Sequence, residues 1–412
     1  MSETATSTSA PAATLGDELP DHSPDEPRGL RRLLRPQALL LLAGLVLLLI
    51  APVYVDAFWL RTGFAAFGAV VGAIGLNLLV GTTGQLSLAH AFFLAVGAIT
   101  YVYVSGEPKA GAEAFGGLSL PPLLGMVLGV LLAGLAGLIF SPIAARLRGI
   151  YLGVASLGLV FIGQHVLNTW TSVTGGFNGR AAPRFELFGF SFGSTDPELY
   201  VLGVPFRAPE RLWYLGLLMA IAAYLFARNL LRSRPGRALM TLRDSEVAAA
   251  VMGVDVQRYK ARVFLVSSMY AGLAGVLYAL SIGSVAPESF ALDLSVLYLA
   301  MIVLGGLGSV GGAVLGAVFV SSLPIVFQEY AGSVPFISEA GQGGVSAGQA
   351  ARLLFGLAIV LVVVFEPAGL AGFASRFRRR GRGGSRPSAS SVPPVSSTPP
   401  GPSTPPAQGS TP

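Results

Sequence analysis

Cysteine is absent from the 412 residues. That excludes disulfides, thiolate metal sites and a cysteine nucleophile, while leaving the compartment open, because a helical membrane protein needs no disulfide staples. Charge is scarce too: Asp, Glu, Lys and Arg make up 12% of the chain, half of the roughly 25% usual in soluble domains. Lysine occurs only at Lys109 and Lys260, preceded by Pro108 and Tyr259. No Gly-Lys-Ser/Thr phosphate loop therefore exists, and the chain cannot hydrolyse ATP by that route. No His-Glu-x-x-His zinc motif occurs either, so neither a metal site nor a catalytic residue is expected and the chain reads as a non-enzyme. Carboxylates avoid the apolar blocks, with Asp56 and Glu366 standing only at block ends. A proton- or sodium-driven secondary transporter usually keeps a carboxylate inside the membrane, so that class is disfavoured.

What the chain has is apolar length. Hydrophobic residues are 53% of the total, mean hydropathy is +0.67, and the apolar runs approach the ~20 residues that cross a bilayer as helix. Ten segments are expected: Gln37–Val55, Thr62–Val80, Gln85–Val104, Leu120–Phe140, Ile150–Asn168, Leu212–Leu231, Ala261–Ile282, Leu294–Leu304, Gly311–Gln328 and Ala351–Phe365. The fold class is all-α, a polytopic membrane helix bundle. Leu294–Leu304 is too short to cross alone and reads, with Gly311–Gln328, as a broken or re-entrant pair around Gly305–Gly312. Many of the 53 glycines sit inside these runs, at four-residue spacing in Gly68/Gly72, Gly125/Gly129, Gly149/Gly153 and Gly312/Gly316. Small residues at that spacing let membrane helices approach closely.

The ends differ in composition. Residues 1–27 are rich in Ser, Thr, Ala, Pro, Asp and Glu, and residues 381–412 in Pro, Ser, Gly and Thr; both read as disordered tails around a transmembrane domain at 28–380. The net charge of +6 would suggest nucleic acid in a soluble protein, but here its placement sets orientation instead. Alternate threading from a cytoplasmic N-terminus puts 20 of the 27 basic residues on the inner side. They are Arg28, Arg31, Arg32 and Arg35, then Arg146 and Arg148. The loop after the sixth span adds Arg228, Arg232, Arg234, Arg237, Arg243, Arg258, Lys260 and Arg262. The C-terminal side adds Arg376, Arg378, Arg379, Arg380, Arg382 and Arg386. Both termini are therefore expected in the cytoplasm of a bacterial plasma membrane, with Arg376–Arg382 meeting anionic lipid headgroups.

Two polar segments stand out. Gly236–Gly253, between two spans, is helix-forming: Asp244 and Ser245 suit an N-cap, Glu246 falls in the first turn where the helix dipole favours negative charge, and Gly253 suits the end. Ala248, Ala249 and Ala250 offer a small-residue surface suited to a partner's groove; an ordinary amphipathic loop helix is the alternative. The second segment, Gly81-Thr-Thr-Gly-Gln-Leu-Ser87, lies between two apolar runs. With Asn77 and His90 it forms the densest polar cluster at membrane depth, where polar groups must face protein or a water-filled path. His90 fits either a path-lining role or a packed core. His165, near a span end, reads as interfacial.

Gly236–Gly253 resembles the coupling loop of ABC importer permeases. The family pattern sets Glu directly before Ala-Ala; here Val247 intervenes, while Ala248, Ala249 and Gly253 keep their spacing. Gly75–Ala91, Arg148–Leu152 with Trp170–Gly179, and Leu304–Gly316 are similar to further motifs of the LivM-type branched-chain amino-acid ABC permease family, in order from about Phe64 to Pro367. The resemblance implies an importer subunit that pairs with a second homologous permease, ATP-binding subunits and an extracytoplasmic solute-binding protein. It implies no cofactor on this chain, ATP being bound by the partners, and no nucleic acid. Arg243, Asp244, Glu246, Ala248, Ala249 and Gly253 would form the ATPase-coupling loop. Amino acids are zwitterions whose desolvation costs several kcal/mol or more, which makes Asn77, Gly84, Gln85, Ser87 and His90 the candidate translocation path. Cargo stays open between branched-chain amino acids and urea, short amides or another small solute. A stand-alone secondary transporter is the more distant alternative.

Overall fold

The computed structural model describes residues 36–108, 116–147, 149–193, 200–201, 204–330, 337–338, 345–365, 369–370 and 372. Both tails, the basic groups at Arg28–Arg35, Arg148 and Arg376–Arg386, and Lys109 and Glu366 lie outside these residues.

Each expected span is a helix. In chain order they are α1 (Pro36–Tyr54), α2 (Ala57–Thr83), α3 (His90–Ser105), α4 (Pro122–Arg146), α5 (Ile150–Thr169), the single turn α6 (Thr171–Thr174) and α7 (Ala208–Arg232). Two short helices follow, α8 (Arg234–Asp244) and α9 (Glu246–Val251), then α10 (Val256–Ile282), α11 (Leu292–Gly305), α12 (Val310–Glu329) and α13 (Ala347–Phe365). Six stretches among the described residues are long and apolar enough to cross a membrane: α2, α4, α5, α7, α10 and Pro287–Gly305. The last joins α11 to the 3-10 turn Pro287–Phe290 before it, so the segment expected to be too short reaches 19 residues.

α2 is the spine. Every residue from Ala66 to Leu79 is buried, as a helix apolar on all sides requires. α10 lies along it and also packs against α3 and α4. The approach rests on missing side chains. A Cβ on Gly275 would stand 2.0 Å from the Leu94 carbonyl oxygen, and one on Gly97 would stand 2.2 Å from that of Gly272. Of the four spaced glycine pairs, Gly125/Gly129 and Gly312/Gly316 include such contacts, and Gly68/Gly72 make room for the side chains of Leu277 and Tyr298. In the fourth, Gly149 meets nothing within 4 Å and instead precedes α5 with φ 54°.

Helix ends sort onto two faces. The end of α2, the joint between α7 and α10, and the turn between α11 and α12 meet on one of them: Arg243 reaches Gly81, and Gly81 abuts Gly308. Arg232, Arg234, Arg237 and Arg258 accompany them, making this the basic face. On the opposite face α10 ends in a two-residue strand, Ser284–Val285, paired antiparallel with Arg180–Ala181. Two buried arginines pin the loops there. Arg180 donates to the Val173 carbonyl at 2.9 Å, and Arg211 donates to the carbonyls of Ser191 and Phe206 at 2.8 and 3.1 Å. α2 and α10 therefore run in opposite directions.

Gly275→Ala should force the α3–α10 crossing apart. Overpacking of this kind costs about 1–3 kcal/mol, so the thermal midpoint in detergent should fall by several degrees. Gly158→Ala, where an added Cβ meets nothing within 4 Å, should leave it unchanged or slightly raised.

Candidate functional site

Between α7 and α10 the chain makes two short helices rather than one. They break at Ser245, which is extended (φ −160°, ψ 117°) and caps α9 by accepting a hydrogen bond from the Ala248 N–H at 3.2 Å. Of the two expected capping residues, Ser245 performs that role and Asp244 ends α8. Glu246 opens the first turn of α9, the end where the helix dipole favours a carboxylate. The other end is a Schellman turn: the Gly253 N–H meets the Ala250 carbonyl, the Val254 N–H meets that of Ala249, and Gly253 takes φ 80°.

The outward surface of α9 differs from the expected alanine face. Ala249 is fully buried, Ala248 is half-buried, and Ala250 alone of the three is exposed. Val247, Val251 and Met252 point out, at 70, 84 and 73% exposure. Their side-chain type, not their spacing, was the available signal. This leaves exposed apolar side chains between Asp244 and Asp255, on a face rich in arginine.

Two polar ties run from this joint into the bundle. Lys260, near the start of α10, is 1% exposed, and its Nζ lies 2.7 Å from Glu246 Oε1. Arg243 Nη1 donates to the Gly81 carbonyl at 2.6 Å, across 162 residues of sequence. That oxygen sits in the last turn of α2, where carbonyls lack helical partners and a cation is favoured.

The candidate path residues gather around the gap between α2 and α3. Gly84 ends α2 in the left-handed conformation (φ 68°), and residues 84–89 carry no helix. Thus α3 begins at His90, five residues later than expected from Gln85. The six connecting residues carry no helix and return the chain along α2, so that His90 lies against the Gly72 backbone. Serines from distant helices hold this stretch. Ser156 of α5 accepts from the Leu88 N–H at 2.8 Å, and Ser295 of α11 accepts from the Ala91 N–H at 2.9 Å. Asn77 Oδ1 accepts from the Gly308 N–H at 2.9 Å, tying this break to the one between α11 and α12. Ser87 accepts from the Ala89 N–H at 3.4 Å, and the His90 ring meets that of Tyr298 at 4.9 Å. Asn77, Gln85, Ser87 and His90 are all buried. Gln85 Oε1 and Nε2 and His90 Nε2 find no partner among the described residues.

A cavity of about 940 Å³ opens on the opposite face between Ser105–Glu107, Ser119–Leu123 and Arg180–Gly189. Beside it a Gly-x-Ser-x-Gly string occurs at Gly189–Gly193, but its Ser191 lies in a two-residue hairpin strand, not at the strand-to-helix turn of a hydrolase nucleophile.

An apolar bundle with two interrupted helices meeting under a capped loop defines a multi-pass membrane transport protein. The chain belongs to the branched-chain amino acid transport system permease component family, which it matches over residues 60–363. It is 31% identical over 347 residues to the high-affinity branched-chain amino acid transport system permease protein LivM of Salmonella typhimurium, covering 81% of this chain and 75% of that protein. The corresponding LivH protein of the same organism is 23% identical over 262 residues, 63% of this chain and 81% of LivH. The ribose import permease protein RbsC of Escherichia coli is 27% identical over 247 residues, 58% and 66% of the two chains. No solved structure matches the chain.

Glu246→Gln should leave the Lys260 ammonium buried without its carboxylate. Breaking a buried pair from one side costs about 3–5 kcal/mol, and the partial exposure of Glu246 places the expected loss near ~3 kcal/mol. Glu246→Gln combined with Lys260→Met should recover at least half of that. Thermal unfolding of the purified chain in detergent measures both.

Proposed function

We propose that this chain is the membrane-spanning subunit of an ATP-driven importer for branched-chain amino acids. Its basic face lies in the cytoplasm, and its α8–α9 joint transmits the motion of an ATPase partner. The exposed Val247, Val251 and Met252 cluster carries the reading. It sits outside the apolar spans, on a helix rigidly closed at both ends, and suits the apolar groove of a soluble subunit. The chain holds no phosphate loop of its own, so ATP would be bound by that partner. Arg243, Asp244, Glu246, Ala248, Ala249 and Gly253 form the frame of the coupling loop: ties, caps and inward packing, with the valines and methionine making the contact.

A second homologous permease is supported by LivM and LivH, two similar proteins named for one system in one organism. The names of these relatives also support branched-chain amino acids as the cargo. An extracytoplasmic binding protein would deliver the solute at the face bearing Arg180 and Arg211. The path passes the gap between α2 and α3. Support comes from the unpaired amide of Gln85 and the unpaired Nε2 of His90, since buried polar atoms without partners are few in native proteins and call for a role. Asn77, Ser87 and Gly84 then shape the gap.

In the assembled importer, Val251→Glu and Met252→Glu should each leave thermal stability intact, because both side chains are exposed. They should weaken retention of the ATPase at least tenfold, equivalent to about 1.4 kcal/mol, and lower leucine uptake in step. Full retention and uptake in both variants would remove α9 from the coupling role. Leucine uptake outcompeted by urea or a short amide would overturn the cargo.

Orientation has a separate test that exploits the cysteine-free sequence. Phe177→Cys on the opposite face should react with a membrane-impermeant thiol reagent in intact cells. Arg232→Cys should react only after the cells are opened, and the reverse pattern would invert the threading.

A further inference from the structure

We propose that Arg243 is the positioning residue that joins the α8–α9 joint to both helix breaks, so that they move as one when the joint moves. This rests on the coupling reading above.

Three segments distant in sequence converge on one guanidinium. Nη1 donates to Gly81 O at 2.6 Å, at the end of α2. A Cβ on Gly308 would lie 2.9 Å from the same Nη1 and 3.1 Å from Gly81 O, and Gly308 holds φ +83°. The turn between α11 and α12 thus presses bare backbone onto the arginine and the carbonyl it binds. Asn77 closes the triangle by accepting from the Gly308 N–H. A side chain on Gly81 would meet Asn77 Oδ1 at 2.4 Å and Gly308 N at 2.5 Å, so both glycines are needed for the contact.

The arrangement is mechanically directional. Arg243 stands two residues before Ser245, where α8 hands over to α9, and Glu246 just after it holds Lys260 of α10. Displacement of α9 therefore reaches α10 through an ion pair and reaches α2 through a hydrogen bond. Gly81 lies three residues before Gly84, from which the extended stretch departs towards His90. A pull on the Gly81 carbonyl shifts the root of that stretch, and because Gly308 rests on the same atoms, the second break follows. A plain helix C-cap would need only the Gly81 contact. The backbone of the α11–α12 turn against the same guanidinium is what makes Arg243 a junction.

The assembled importer in proteoliposomes provides the test, reading solute transported per ATP hydrolysed for Arg243→Ala, Arg243→Lys and the contact variant Val251→Glu. With the junction intact in principle but unpinned, Arg243→Ala should retain the ATPase subunits and their basal hydrolysis. It should lower solute moved per ATP at least fivefold. Arg243→Lys keeps the cation and one donor for Gly81, and should restore at least half of that ratio. Val251→Glu should instead lose the ATPase altogether. An unchanged ratio in Arg243→Ala while Val251→Glu releases the ATPase overturns the junction but leaves the coupling loop standing. Loss of stability and subunits in Arg243→Ala, with a normal ratio in what remains assembled, also overturns it by showing a packing role. If Val251→Glu releases nothing, the coupling reading fails and the junction fails with it.

Discussion

Inside a bilayer no water is available to satisfy a free N–H or C=O, and each one left unpaired costs several kcal/mol. This chain leaves helical backbone at residues 84–89, beside the buried side chains of Gln85, Ser87 and His90, and at the turn 306–309 on the basic face, and side chains of the bundle meet part of that cost. Ser156, Ser295 and Asn77 are spent on backbone donors of the breaks, and each comes from a helix remote in sequence. The packing of α3 against α5 and α11, and of α2 against α11 and α12, brings those side chains to their partners.

The same constraint explains which features were legible in the sequence. Hydropathy located every span, because apolar length is a local property. Glycine and polar residues at 81–87 and 305–312 marked the breaks, because both conformations require φ values that favour glycine. The start of α3 was misplaced by five residues because nothing local distinguishes Gln85–Ala89 from the run that follows. What delays the helix is held from afar: Ser156 accepts from Leu88 and Ser295 from Ala91, 68 and 204 residues away from their partners. The shortness of Leu294–Leu304 was misjudged for a related reason: a 3-10 turn is not distinguished by periodicity from the loop it replaces.

The loop between α7 and α10 shows the opposite balance. Its caps, Ser245 and Gly253, were readable because capping is chemistry of one residue and its near neighbours. Which side of α9 faces outward was not, since a helix of six residues has too few positions to display a stripe. Ala249 turns inward, where it fits beneath the helix with no exposure. The larger apolar residues were left outside. That reverses the order expected of an isolated helix.

The ion pair of Lys260 and Glu246 bears on how such a loop can be stiff yet movable. A buried lysine is tolerable only while its carboxylate stays near, so α9 cannot swing away from α10 without exposing the ammonium to an apolar interior. Translation of α9 together with the root of α10 keeps the pair closed and carries no such cost. The Gly81 hydrogen bond of Arg243, by contrast, ends on a neutral carbonyl and is worth roughly 1.5–3 kcal/mol. The stronger tie fixes α9 to α10, and the weaker one leads to the end of α2 and the breaks. Force entering at the exposed valines would therefore move α9 and α10 as a unit and be relieved at the glycine turns, where the backbone has the fewest side chains to resist it.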